Sequence, residues 1–283
     1  MNHKETTRKL NNGVDIPVVG FGTFKIDDKN VKELVLSAVD IGYRHIDTAS
    51  YYNNEKGIGE AIKDCGLKRE ELFITSKLWM DDLGYNNTIK AFEKTMENLK
   101  LDYIDLYLVH WPRPLAVESW KALEEFVQQK RARAIGVCNY KKQHLEELIA
   151  STNIIPAINQ IEIHPKLQQQ ETYEYCMKNN IAVEAWSPIM KGKVAEMEIL
   201  ITIGHKYNKS PAQVALRWHL QKNIIVIPKS SHQERMKQNM DIFDFNLSDE
   251  DMLSIATLEE DIRLGFDPDY IYKNGFDPKR DLK

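Results

Sequence analysis

The chain is poor in cysteine. It has three, Cys65, Cys138 and Cys176, far apart and in no C-x-x-C pair. An odd and scattered count excludes a disulfide framework and fits a reducing compartment. Long apolar runs are missing too: none approaches the ~20 residues of a membrane helix. The opening MNHKETTRKLNNG holds no apolar signal-peptide core. A cytoplasmic protein without membrane contact is therefore expected. No excess of positive charge exists: 38 Lys plus Arg stand against 42 Asp plus Glu, a net charge of −4, so nucleic acid is not an expected partner. Three catalytic signatures are absent as well. There is no G-x-S-x-G nucleophile elbow, no H-E-x-x-H zinc helix and no H-x-H pair, so no metal is expected. With no linker or low-complexity tract, residues 1–283 read as one domain.

What is present is an alternation. Short apolar or β-branched runs fall at Val18–Gly22, Arg44–Asp47, Leu72–Ser76, Ile104–Val109, Ala134–Val137, Ala157–Ile161, Ala182–Trp186 and Ile224–Ile227. Each is followed by a segment of helical periodicity: Asn30–Ile41, Glu55–Lys63, Asn86–Leu99, Leu115–Gln129, Lys142–Ile149, Gln169–Asn179, Glu196–Tyr207 and the stretch after Ser230. Strands alternating with helices indicate βαβ units and a parallel sheet buried on both faces. An open doubly wound sheet and a (β/α)8 TIM barrel both satisfy this, and a count of eight favours the barrel. A Rossmann sheet should carry G-x-G-x-x-G after its first strand, and Gly20-Phe-Gly22-Thr-Phe-Lys25 lacks the third glycine. Asn12-Gly13 signals an N-terminal β-hairpin that could plug the barrel floor. Leu247–Leu258, capped by Ser248 with Asp251 three residues on, is an extra C-terminal helix. The tail from Gly265 onward reads as polar.

In a barrel the chemistry sits at the carboxyl ends of the strands. Those positions hold Asp47 with Tyr52 close behind, Lys77, His110, Cys138-Asn139, Gln160, Trp186-Ser187 and Lys229-Ser230. A single charge there reads as a structural ion pair. A ring of them is harder to explain that way, because a desolvated charge is costly unless paired or useful. Four form a coherent catalytic set. A phenol has a pKa of about 10, too high for efficient acid–base work at neutral pH. A neighbouring ammonium lowers it. Lys77 could do this for Tyr52, with Asp47 holding Lys77 and His110 donating a hydrogen bond nearby. The set suits protonation of a carbonyl oxygen while something else attacks the carbon. With no covalent nucleophile motif, this points to hydride and a nicotinamide cofactor.

Three segments then resemble the aldo-keto reductase family: Gly42-Tyr-Arg-His-Ile-Asp47-Thr-Ala-Ser-Tyr-Tyr52-Asn-Asn-Glu55-Lys-Gly-Ile58-Gly59, Ala134-Ile-Gly136-Val-Cys138-Asn139-Tyr140, and Ile227-Pro-Lys229-Ser230-Ser-His-Gln-Glu-Arg235-Met-Lys-Gln-Asn239. Ser76-Lys77-Leu-Trp79 and Leu108-Val-His110-Trp-Pro112 lie between them, and the likeness spans essentially the whole chain. It is most like bacterial members that reduce glyoxals, other small aldehydes or diketogulonate-type sugar acids. The resemblance implies a catalytic tetrad of Asp47, Tyr52, Lys77 and His110, with Tyr52 the acid in reduction. It also implies an extended NADPH across the barrel mouth. Asn139 and Gln160 would bond the nicotinamide carboxamide, Trp186 would stack on the ring, and Gly22, Thr23, Asp47, Cys138, Ser187 and Asn239 would complete the cofactor surface. Lys229, Ser230 and Arg235, at a helix start, suit a 2′-phosphate, so NADPH is expected over NADH.

Two departures from the family pattern stand out. Cys138 takes the place of the usual serine, and a thiol is the weaker donor. Trp186 replaces the commoner tyrosine, though an indole still stacks. The segment between His110 and Glu118 is short and so is the tail, so an open pocket is expected, walled by Phe24, Tyr51, Trp79 and Trp111, for small or varied carbonyl substrates. His164 reads as a structural loop residue, Cys65 and Cys176 as apolar-like groups, and Lys63–Glu71 as a solvated helix end. A monomer is expected. Two competing functions remain: an NADPH-binding protein of the same fold with a structural or regulatory role, and a metal-dependent barrel hydrolase.

Overall fold

The computed structural model describes residues 6–277. The expected domain bounds run past these into residues 1–5 and 278–283, which lie outside the described residues. The described chain opens with an antiparallel hairpin, β1 (Thr7–Lys9) and β2 (Asp15–Pro17), turning through Gly13 with φ +87°. Eight parallel strands follow in sequence order: β3 (Phe21–Gly22), β4 (His45–Asp47), β5 (Phe73–Leu78), β6 (Ile104–Val109), β7 (Ala132–Cys138), β8 (Ile158–Glu162), β9 (Ala182–Trp186) and β10 (Ile224–Val226). The last strand returns to the first. Val226 N–H donates to Val18 O at 3.0 Å, and Gly20 N–H donates to Val226 O at 2.8 Å. A parallel bridge between Val19 and Val226 completes the closure. The architecture is the expected (β/α)8 barrel with its N-terminal hairpin, not the open sheet.

The helices are α1 (Asp28–Ile41), α2 (Glu55–Asp64), α3 (Tyr85–Leu99), α4 (Ala116–Gln128), α5 (Lys142–Ile149), α6 (Gln170–Lys178), α7 (Glu198–Tyr207), α8 (Pro211–Gln221), α9 (Gln233–Met240), α10 (Asp249–Ala256) and α11 (Pro268–Asn274). Their apolar faces pack on the outward residues of the strands in one large cluster that includes Val35, Ile46, Ile74, Phe92, Tyr107, Trp120, Val183 and Trp218. Each fully buried aliphatic side chain there contributes about 1.5–3 kcal/mol by leaving water.

The alternation of strand side chains builds the interior. Its lower layers are apolar: Phe73, Leu106, Leu108, Ala134, Ile158 and Ile225, joined by Leu10 and Ile16 from the hairpin, which therefore plugs the floor. Two and four residues further along the same strands, the inward positions turn polar: Thr75 and Lys77 on β5, and Gln160 on β8. That switch in polarity puts the site at the carboxyl end.

Several local expectations need correction. Helix α8 and the 3-10 segment Met190–Glu196 form between β9 and β10, beyond the single helix expected there. The tail after Gly265 also holds a helix not expected there, α11, with Asp267 accepting from the backbone N–H of Asp269 and Tyr270. The Lys63–Glu71 stretch follows the end of α2 and is mostly exposed, as expected, but not solvated throughout. Its Arg69 donates to the buried Asp105 at 2.6 Å and covers the Tyr103 ring at 4.2 Å.

Candidate active site

Each member of the expected catalytic set comes from a strand end or the turn after it. Asp47 ends β4, Lys77 lies next to last on β5, and His110 follows β6. Tyr52 sits in the short 3-10 turn Ser50–Tyr52. That turn is anchored from below: Ser50 Oγ donates to Lys77 O at 3.0 Å, while Asn54 accepts from Thr48 Oγ1 and donates to the Thr23 and Ile26 carbonyls. The structure brings all four together. Lys77 Nζ donates to Asp47 Oδ1 at 2.6 Å, to Thr48 O at 2.8 Å and to the Tyr52 hydroxyl at 3.4 Å. The Tyr52 and His110 rings are edge to face at 5.7 Å.

Burial dominates the electrostatics. It works to lower the Lys77 pKa, but Asp47 and Tyr52 overcome it and hold the ammonium above its ordinary value. Burial, then Lys77, pushes His110 well down, so the imidazole is neutral at physiological pH; its Nδ1 has no partner among the described residues. For Tyr52 the expected lowering is outweighed: burial raises the phenol pKa and Lys77 only opposes this. The hydroxyl is therefore a held proton, with an ammonium beside it that makes giving the proton up less costly.

The cofactor residues expected from the sequence are placed as follows. Thr23 is buried and donates from N–H and Oγ1 to Asp47 O, and Gly22 N–H donates to Pro228 O at 3.3 Å. Asn139 has a left-handed backbone (φ +62°), donates to His110 O at 3.0 Å and accepts the Trp186 indole N–H at 2.8 Å. Gln160 Nε2 donates to Asp47 Oδ2 at 2.7 Å and to Glu184 Oε2 at 2.6 Å, and Cys138 Sγ lies 3.8 Å from its Oε1. Ser187 is half-buried at φ +52°. Across the mouth, Lys229 and Arg235 are exposed next to the start of α9. Ser230 is buried and its hydroxyl bonds the His232 backbone, while Asn239 is buried against Tyr43.

Tyr51 stacks on Trp79 at 3.8 Å, Trp79 meets His110 edge-on at 5.1 Å, Phe24 lies 5.0 Å from Tyr52, and Trp111 is buried. The tail closes on these rings. Phe276 is edge-on to Tyr51 and Trp79 at 6.0 and 5.7 Å, with Phe266 behind it at 5.4 Å. Arg113 holds α11 by donating to the Ile271 and Tyr272 carbonyls, and Lys141 pairs with Asp267 and Asp269. The expected open pocket is thus narrower than its sequence suggests. Sequence reasoning also missed Gly265: a Cβ there would lie 2.5 Å from the Trp186 indole, and Glu162 binds its N–H and that of Leu264. His164 supports Glu162 at 3.1 Å. Among the described residues no group of three or more His, Cys, Asp or Glu could hold a metal, and no helix is long and apolar enough to cross a membrane.

A closed parallel barrel with an Asp–Lys–Tyr chain at its carboxyl mouth defines a (β/α)8-barrel oxidoreductase. The chain belongs to the aldo/keto reductase family, whose model matches residues 18–260. It is 50% identical over 265 residues to the glyoxal reductase of Bacillus subtilis (strain 168), covering 93% of this chain and 96% of that protein. It is 43% identical over 266 residues to the methylglyoxal reductase DkgA of Yersinia pestis, covering 92% and 95%. The crystal structure of a mutant of Gox0644 in complex with NADPH superposes with a TM-score of 0.89 at 40% identity, over 93% of this chain and 97% of that one.

Proposed function

We propose that this protein reduces small aldehydes and ketones, glyoxals among them, to alcohols with NADPH, using Tyr52 as the general acid. The observation that carries this reading is the Lys77 ammonium, fully buried and bonded at once to Asp47 and to the Tyr52 hydroxyl. A protonated phenol beside a fixed cation can release its proton to a carbonyl oxygen and remain as a stabilised phenolate. A neutral His110 donates an N–H to that same oxygen without adding charge, and so orients it. The relatives named for glyoxal and methylglyoxal reduction support the substrate class, and the aromatic walls limit its size.

The donor set fits a phosphorylated dinucleotide. Lys229 and Arg235 are exposed cations beside a helix start, where a 2′-phosphate finds both charge and N–H groups. At the other end Asn139 and Gln160 bear amides, and Trp186 offers a ring face held in place by Asn139. When bound, reduced nicotinamide supplies the hydride; Asp47 keeps Lys77 charged, and the walls exclude water. The test is NADPH oxidation against a panel of glyoxals, aldoses, keto acids and a steroid, repeated with NADH. Faster turnover of methylglyoxal than of the steroid and a lower KM for NADPH are expected. Absence of NADPH oxidation with every carbonyl would sink the reading. Tyr52→Phe should lose about 10²–10⁴-fold in turnover while NADPH still quenches tryptophan fluorescence.

A further inference from the structure

Glu184 lies on β9 opposite Gln160, fully buried in the barrel interior. Its Oε2 accepts from Gln160 Nε2 at 2.6 Å, and the same nitrogen donates to Asp47 Oδ2 at 2.7 Å. An amide nitrogen has two hydrogens, so both are committed. Asp47 Oδ1 in turn holds Lys77, which reaches Tyr52. Glu184 therefore stands at the inner end of a chain that begins at the phenol.

Its other oxygen, Oε1, has no hydrogen-bond partner and faces His45 Nδ1 at 3.7 Å, which has none either. His45 Nε2 lies 3.0 Å from Thr75 Oγ1. Room for the ring exists because residue 20 is glycine: a Cβ there would sit 2.6 Å from Nδ1. Two carboxylates sharing one amide are mutually repulsive, and the cation facing them, Lys77, is already paired with Asp47. An uncharged Glu184 removes that repulsion while Oε2 still accepts from Gln160, and Oε1, at 3.7 Å from Nδ1, makes no hydrogen bond that would hold a negative charge.

We propose that Glu184 is a positioning residue for the carbonyl reduction: as an uncharged acid, it fixes the Gln160 amide so that Asp47 stays paired with Lys77 beside Tyr52. The inference rests on the reading of Tyr52 as the acid. The groups facing Glu184 are His45 and Asp47 from β4, Lys77 from β5, Cys138 from β7 and Gln160 from β8. Burial, reinforced by Asp47, pushes the Glu184 carboxyl up to about 8. Burial and Lys77 push His45 down to about 3, against the Pro17 carbonyl. At neutral pH both are uncharged. Above about pH 8 Glu184 gains a negative charge close to Asp47, which disfavours the phenolate left when Tyr52 gives up its proton. Reduction should then fall on the alkaline side.

The experiment compares wild type, Glu184→Gln and Glu184→Leu. Carbonyl turnover and NADPH binding by tryptophan quenching are measured from about pH 6 to about pH 10. The glutamine variant, which is neutral at every pH, should stay within about threefold of wild type at pH 7 and keep its turnover further into the alkaline range. The leucine variant should lose about tenfold or more in turnover and bind NADPH more weakly. An alkaline limb identical in wild type and Glu184→Gln, or full turnover in Glu184→Leu, would overturn the inference. If wild type itself reduces no carbonyl, the functional reading fails, and the protonation of Glu184 is still decided by infrared difference spectra of wild type against Glu184→Gln. A buried carboxylic-acid carbonyl stretch should be present near pH 7 and gone by about pH 10; its absence at pH 7 would refute an uncharged Glu184.

Discussion

Asn139 accepts the indole N–H of Trp186 at 2.8 Å while donating its own amide to the His110 carbonyl at 3.0 Å. One side chain just past β7 thus ties the loop after β6 to the last residue of β9. The indole has Gly265 on its other side, so its plane is set from both directions. In Asn139→Ala the indole should lose this hold. A neutral hydrogen bond is worth about 1 kcal/mol, so NADPH binding should weaken roughly fivefold, with the quenching of tryptophan fluorescence changed in amplitude as well. An unchanged dissociation constant would show that Trp186 is held by packing alone.

Phe276 reaches the rings of Tyr51 and Trp79 from the opposite end of the chain. Phe276→Ala removes that wall and leaves the proposed catalytic set untouched. Methylglyoxal turnover should hold, while a bulky aromatic aldehyde should gain about tenfold in kcat/KM. Equal specificity ratios before and after the change would mean that the tail does not limit the pocket.

Strands such as Ile104–Val109 and Ala182–Trp186 are readable in the sequence because burial on both faces leaves runs that are apolar but for one carboxylate each, Asp105 and Glu184. The convergence of Asp47, Tyr52, Lys77 and His110 follows from polar residues appearing where those runs stop. Phe276 on Trp79 is not readable, since nothing local in a polar tail reports a contact made across the whole barrel. Helix α8 escapes a reading by periodicity although its start is written plainly: Ser210 caps it, Pro211 takes the first turn and Gln213 completes the box. Glu184 sits in an apolar run, Ala182–Trp186, where a lone carboxylate reads as a packing oddity until Gln160 is seen beside it. The direction of the Tyr52 shift differs from the expected one because a sequence shows the neighbouring cation but not the depth of burial.

Asp105 organises the outer end of β6. It is fully buried and accepts from Arg69 at 2.6 Å, from Arg133 at 2.7 Å and from the Ile74 N–H at 2.9 Å. Asp105→Ala leaves two guanidinium groups and a backbone N–H without their acceptor. The loss should be on the order of 3 kcal/mol, which at about 2–4 °C per kcal/mol lowers Tm by roughly 6–12 °C. Activity at low temperature should persist, since the partners of Asp105 lie outside the catalytic set. A Tm within a degree or two of wild type would mean that water replaces the carboxylate at little cost.

Asp251 links the capped α10 to α7. Burial acts to raise its pKa, but hydrogen bonds from Lys206, Tyr207 and Ser248 prevail and bring it down to about 2. In the unfolded chain an aspartate titrates near about 3.9. Between those two values the unfolded state binds the proton and the folded state does not. The stabilisation is therefore fully present above about pH 4 and is lost as pH falls toward about 2. Asp251→Asn, which cannot ionise, should be less stable than wild type at pH 7 in urea unfolding, with the gap closing progressively below about pH 4. A gap of constant size across that range would show that the ionised carboxylate is not what holds α10 to α7.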